Sequence, residues 1–285
     1  MTRIARVLTH RRVAETRPAL EELWREALQL GVVLRFDTEE TRKHELVASE
    51  GLEVDADRDE GVDLCVALGG DGTILTALRR YAGMGVPVFA VNFGEVGFLA
   101  TVDRDCGAIG FRRALQADFE VMVLPGIELR NDGRRWMAIN DVAIHREPGN
   151  RVAELAYSVG GDEVGRVRCD GLVVATPAGS TGYNLANGGP IMAWGVEGFV
   201  VSFIAPHSLT ARALVVAPGD VLTVHNLSQE EPVEAAVDGR PSTEIAPGGT
   251  LDVSFVACKA CLAQLPGASF YGRLAHRFGR LTAAR

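Results

Sequence analysis

Val62-Asp63-Leu64-Cys65-Val66-Ala67-Leu68, then Gly69-Gly70-Asp71-Gly72-Thr73, then Ile74-Leu75-Thr76-Ala77-Leu78-Arg79-Arg80 reads as a buried strand, a turn almost without side chains, and the start of a helix. That succession is the repeating unit of an open α/β sheet. The glycines let a nucleotide phosphate approach the backbone. A helix starting near Thr73 aims its free N–H groups and positive dipole end at that phosphate. Asp71 is the unexpected residue here, because a carboxylate beside bound phosphates is repelled by them. It needs a task such as accepting the proton of an attacking hydroxyl or holding a divalent metal. The competing reading is a glycine-rich turn with a capping aspartate.

Outward from this stretch, residues 1 to about 100 keep the same texture. Ile4 to Leu8, Val32 to Phe36, Val62 to Leu68 and Val86 to Val91 are short apolar runs separated by helical patterns, one of them opened by Pro18 and ended near Gly31. They predict an α/β open-sheet domain over residues 1–101. The acidic stretch Asp37 to Glu60 is poor in apolar residues and predicts a mobile loop or an exposed short helix. From about Glu120, strand-like pieces are punctuated by Gly, Pro, Asn and Asp, as in Arg134 to His145, Leu155 to Val159, Leu172 to Ala175 and Val221 to Asn226. Residues 102–257 therefore read as an all-β domain of two stacked sheets. Leu274 to Leu281 has the pattern of a terminal helix.

The chain has 285 residues and a net charge of -8, enough length for two cores and the wrong sign for a nucleic-acid or anionic-membrane binder. The N-terminus carries charge without a following apolar segment, and the apolar run near Phe199 to Ala205 is too short to span a bilayer. The odd number of cysteines, 5, fits a reducing cytoplasm better than a disulfide framework. Cys258 and Cys261 form a CxxC without a second ligand pair and are expected to be structural thiols.

No GxGxxG follows the first strand and no GxxxxGK[ST] occurs, which removes the two commonest nucleotide loops. Lysine stands only at Lys43 and Lys259, so arginines, backbone N–H groups or a metal must balance phosphate charge. Three further segments bear on the site. Asn92-Phe93-Gly94-Glu95-Val96-Gly97-Phe98-Leu99 follows a strand whose carboxyl end is a natural ligand position. Asn140-Asp141 ends an apolar stretch, where a turn is the plainer explanation. Asp170 to Pro190 joins a buried strand to small polar residues with Tyr183 among them. Such a run can line a ribose and cover an adenine.

GGDGT, NxGxxGFL, an Asn-Asp pair and DGLVVATPAGSTGYNLANGGP, in that order, resemble the NAD kinases, within the wider superfamily that includes diacylglycerol kinases. The resemblance implies transfer of the γ-phosphoryl group of ATP, or of polyphosphate, to the 2'-hydroxyl of the adenosine ribose of NAD, with Mg2+ as the expected divalent cation. Asp71 then corresponds to the general base, Gly70 and Gly72 to neighbouring dinucleotide contacts, and Phe98 with Leu99 to the wall of the site. Asn140 and Asp141 match the pair holding the adenosine side. Thr181, Gly182 and Tyr183 match the family's Thr-Ala-Tyr, with Asn184, Leu185 and Ala186 continuing that segment. Asp170 matches an aspartate reaching the nicotinamide end, typically in a neighbouring subunit's site, and Arg168 the basic residue before it. Arg151 and Arg240 fall at further positions near the ligand.

The same resemblance implies a site in the crevice between the two domains, a tail over 258–285 returning to the first, and a homodimer or homotetramer. Two departures stand out: Gly182 for the usual Ala, and Ala213 for the Pro after the arginine of the His207-Ser208-Leu209 segment. They bear on rigidity and affinity rather than on a catalytic group. His207 has no partnered nucleophile at readable spacing and is expected to be structural. Asp238-Gly239-Arg240 is a turn by composition. Two alternatives remain. One is a lipid or sugar kinase of the same superfamily, disfavoured by the polar Thr181 to Asn187 run and the acidic charge. The other is a non-catalytic NAD(P) sensor, which would bind without turnover.

Overall fold

The computed structural model describes residues 3–94 and 97–279. Glu95 and Val96 of the NxGxxGFL segment and Leu281 of the expected terminal helix lie outside them, as does the Cys258 side chain and with it the CxxC expectation. The chain opens with β1 (Ile4–Thr9), α1 (Val13–Leu30), β2 (Val33–Arg35), α2 (Thr38–His44), β3 (Leu52–Glu53), β4 (Leu64–Gly69), α3 (Asp71–Arg80), β5 (Pro87–Asn92), β6 (Val102–Asp103) and α4 (Gly107–Gln116). It continues with β7 (Glu120–Asn131), β8 (Arg134–Ala138), β9 (Asp141–Arg146), β10 (Ala153–Val159), β11 (Asp162–Cys169), β12 (Gly171–Ala175) and α5 (Tyr183–Ala186). There follow β13 (Phe199–Ile204), β14 (Leu214–Val216), β15 (Val221–Asn226), β16 (Val233–Val237), β17 (Arg240–Ile245), β18 (Thr250–Gln264) and α6 (Phe270–Phe278). Two compact units result, residues 1–123 with 260–285, and residues 124–259. The textures in the sequence change at 101/102 and 257/258. Helix α4 belongs with the first unit because Phe111, Ala114 and Leu115 join its core.

In the first unit the parallel strands run β5-β4-β1-β2-β3, with the end of β18 beside β5. Both faces of β1, β4 and β5 are covered, which is why these strands are continuous apolar runs instead of alternating ones. Helix α1 buries Leu20, Leu23 and Ala27 and ends at Gly31 in the left-handed region (φ 65°). It starts at Val13, so Pro18 stands inside its second turn and does not open it.

The stretch Asp37 to Glu60 corrects the expectation of a mobile loop or exposed helix. Asp37 caps α2 by accepting from the Glu40 N–H at 3.0 Å, and Glu40, Thr41 and His44 are buried. Its acidic groups are matched from a distance: Arg80 binds Asp37 at 2.7 Å and Asp59 at 2.9 Å, and Arg35 binds Glu53 at 2.7 Å. Paired charge, which local composition does not show, orders this segment.

The second unit contains strands β11-β10-β15-β18 in one sheet, the β7-β8 hairpin, and a second sheet in the order β14-β13-β12-β9-β16-β17. Alternate residues such as Leu155 and Tyr157, Val142 and Ile144, Leu172 and Val174, Phe199 and Val201, and Leu222 and Val224 form one core, the period of two that a sandwich requires. On the outer face of the second sheet, Ala143, Val173, Ala175 and Val200 pack with Met192, so β12 is buried on both sides. The α/β unit and the β-sandwich are the architecture read from the sequence.

Candidate active site

The carboxyl ends of β1, β4 and β5 lie side by side, with Thr9 paired to Leu68 and Gly69 to Asn92. Gly70 is the N-cap of α3 and Asp71 its first residue, where a negative charge interacts favourably with the helix dipole. The Asp71 carboxylate accepts from the backbone N–H of Phe98 at 3.3 Å and of Leu99 at 3.1 Å. Close approach explains the glycines: a Cβ at Gly69 would lie 2.4 Å from the Thr73 hydroxyl, and one at Gly94 3.0 Å from the Gly70 Cα. Nothing lies within 4 Å of a Cβ placed on Gly72, so that position faces open space. Phe98 and Leu99 are buried at 4% and 2% exposure, so their backbones, and not their side chains, meet Asp71.

In the second unit, Asn140 precedes β9 and Asp141 is its first residue, beside the segment after β12. Asp141 pairs with Ala175, the Asn140 carbonyl accepts from the Thr176 N–H at 2.9 Å, and a Cβ on Gly179 would lie 2.0 Å from that carbonyl oxygen. A Cβ on Gly182 would come 4.0 Å from Asp141 Oδ2. The Asn-Asp pair and the Thr181-Gly182-Tyr183 segment are therefore neighbours. Asn140 Oδ1 is buried without a hydrogen-bond partner, a condition that proteins rarely tolerate away from functional sites. Burial, and secondarily the Asp238 carboxylate, push Asp141 up to about 7.

Tyr183 is 42% exposed, so it is not a core aromatic. Thr181 is half-buried, Gly182 and Ala186 are exposed, and Leu185 is half-buried. Asn184 differs: it is 0% exposed, and its amide donates to the Ser180 carbonyl at 2.9 Å and the Pro190 carbonyl at 3.0 Å. Its side chain ties the segment together from inside. Arg168 is exposed and lines, with Arg151, Ser228 and Glu231, a concavity of about 280 Å³. Asp170 pairs with Arg146 at 2.7 Å and not with Arg168. His207 is exposed, and its backbone N–H donates to the Arg168 carbonyl at 2.7 Å. Arg240 opens β17 just after Asp238 and Gly239.

Sequence reading missed Asp238 as a support. Its carboxylate accepts from the N–H groups of Ile139 at 3.1 Å, Asn140 at 2.8 Å and Asp141 at 3.2 Å, and its own N–H donates to the Asp141 carbonyl at 2.9 Å. Its backbone is left-handed at φ 47°, the conformation for which Asp and Asn are enriched; that preference in an Asp-Gly turn was the available signal. Among the described residues no group of three His, Cys, Asp or Glu side chains is placed to hold a metal. No helix there is long and apolar enough to cross a membrane.

A glycine-opened helix headed by a held aspartate stands at the carboxyl edge of a parallel sheet, where open α/β sheets take their ligands. Residues 2–116 match the ATP-NAD kinase N-terminal domain and residues 139–264 the ATP-NAD kinase C-terminal domain. The chain belongs to the NAD kinase family. It is 37% identical over 229 residues to the NAD kinase of Gemmatimonas aurantiaca, covering 78% of this chain and 79% of that one. To NAD kinase 2 of Streptomyces coelicolor it is 35% identical over 225 residues, covering 77% and 74%. In fold it resembles yeast NADH kinase solved with NADH (TM-score 0.89, 21% identity, 100% of this chain and 89% of that one). It also resembles an Archaeoglobus fulgidus NAD kinase solved with ATP (TM-score 0.74, 24% identity, 99% and 100%).

Proposed function

We propose that this chain transfers the γ-phosphoryl group of ATP, taken as its magnesium complex, or of polyphosphate, to the 2'-hydroxyl of the adenosine ribose of NAD, giving NADP. The observation that carries the proposal is the Asp71 carboxylate at the head of α3, oriented by the Phe98 and Leu99 N–H groups. Asp71 accepts the 2'-hydroxyl proton as the ribose oxygen bonds to the γ-phosphorus and the bond to the β,γ-bridging oxygen breaks, releasing ADP. In-line positioning and charge stabilisation supply most of the rate. A divalent cation such as Mg2+ would be carried on the donor's phosphates, where it would offset the charge that builds up during transfer.

Asn140 and Asp141 hold the adenosine side, Thr181 and Gly182 contact ribose and adenine, and Tyr183 covers the base. Gly70 and Gly72 let the dinucleotide approach the backbone, while Arg151 and Arg240 lie at further positions near the ligand. Asp170, with Arg168, reaches the nicotinamide end of a site in a neighbouring subunit of a homodimer or homotetramer, and the enzyme works in the cytoplasm. The names of the curated relatives, and solved neighbours holding NADH and ATP, support this choice of substrates.

The test is Asp71→Asn, which keeps the shape and removes the base. Turnover should fall by about 10² or more while the dissociation constant for NAD stays within about threefold. Near-wild-type turnover would remove Asp71 from the mechanism.

A further inference from the structure

We infer that Arg273, on the C-terminal helix α6, is a positioning residue for Asp71, acting through the backbone of residues 98–100. The inference rests on Asp71 being the general base. Arg273 Nη1 donates to the Phe98 carbonyl at 3.2 Å and to the Ala100 carbonyl, and its Nη2 donates to Gln264 Oε1. Phe98 is thus bonded on both sides of its α-carbon. Its N–H donates to the Asp71 carboxylate and its C=O accepts from the guanidinium. Because a guanidinium is a rigid planar fork, gripping two carbonyls with one end and an amide with the other fixes the plane of this short segment. The N–H groups aimed at Asp71 inherit that orientation.

Packing supports the same linkage. The Phe98 ring lies 5.7 Å from the Phe270 ring and 6.3 Å from the Phe278 ring, both on α6. Helix α6 is itself started by Ser269, whose hydroxyl accepts from the Gly272 N–H at 3.0 Å. The residues of the segment are buried, and open space adjoins it on the side of Gly97 and Ala100, a cavity of about 290 Å³ lined by Gly97, Ala100, Val102, Gly272, Arg273 and His276. Where side chains do not fill the space, directional bonds set the backbone. Gly97 before it is left-handed (φ 58°), and a Cβ there would lie 2.2 Å from Asn92 Nδ2. The turn can therefore pivot only within the limits that Arg273 and Asn92 allow.

The experiment is a double-mutant cycle on the full chain, with Arg273→Met, Asp71→Asn and their combination, measured by steady-state NADP formation and thermal unfolding. Arg273→Met should lower kcat about ten- to a hundredfold, the cost of misplacing a reacting group by about 1 Å, and leave KM for NAD within about twofold. Arg273→Lys, which keeps the charge and one donor direction, should recover part of the loss. In the Asp71→Asn background Arg273→Met should change the residual turnover by less than about twofold, because both act on one group. If Arg273→Met does not fold, Arg273→Lys takes its place in the cycle. An unchanged kcat, a change in KM alone, or a loss carried in full into the Asp71→Asn background would overturn the positioning role. Full turnover by Asp71→Asn itself would overturn the base assignment and this inference together.

Discussion

Asp141 shows how a single residue can tie binding to pH. Burial first, and the charge of Asp238 second, raise its carboxyl from an ordinary 3.8 to about 7, so the proton is lost within the working range of an enzyme. Below that value the group donates through its proton, and above it the anion can accept from a hydroxyl, as its proposed role on the adenosine side of NAD would require. KM for NAD should therefore fall several-fold between about pH 6 and about pH 8, and Asp141→Asn should abolish that dependence; an Asp141→Asn profile identical to wild type would place the titration elsewhere. The effect on folding has the opposite sense. The folded pKa lies above the unfolded one, so the native state holds the proton more tightly. The contribution of Asp141 to stability is full below the unfolded value and is lost as pH rises through about 7.

At the scale of elements, the site depends on turns held by groups far away in sequence. Asp238 lies 99 residues from Ile139, yet its carboxylate takes the N–H groups of three successive residues, Ile139, Asn140 and Asp141, where the chain enters β9. Asp238→Ala would leave those donors without their acceptor at about 1 to 3 kcal/mol and release Asn140 and Asp141 together. Calorimetry should show NAD binding weakened about tenfold or more, with Asp238→Asn recovering part of it because one oxygen still accepts. Unchanged affinity in Asp238→Ala would mean that the turn holds itself. The contrast with Asp71 explains what was legible in the sequence. GGDGT is contiguous, and Gly69 and Gly70 are kept small by contacts with Thr73 and the adjacent Gly94, so the strand-turn-helix geometry could be read directly. Asp238, Arg146 and Arg273 act across long separations, and no local pattern marks their partners. The acidic run after Asp37 was misread for the same reason, since Arg80 and Arg35, which neutralise it, come from other elements.

For the whole molecule, the change from helical to strand periodicity announced one α/β unit and one β-sandwich. The chain pattern did not announce that the first unit takes in α4, whereas the return of the C-terminal tail to it was implied by the family resemblance. Periodicity reports which face of an element is buried, not which other element covers it. Assembly into an NAD-phosphorylating enzyme is a property of the full chain, and its most direct test is made on the full chain. Purified protein, given NAD, ATP and Mg2+, should form NADP that an NADP-specific dehydrogenase can read, with polyphosphate substituted for ATP in parallel to define the donor. Turnover with at least one donor is the predicted result; a folded protein that binds NAD yet forms no NADP with either donor would contradict the assignment.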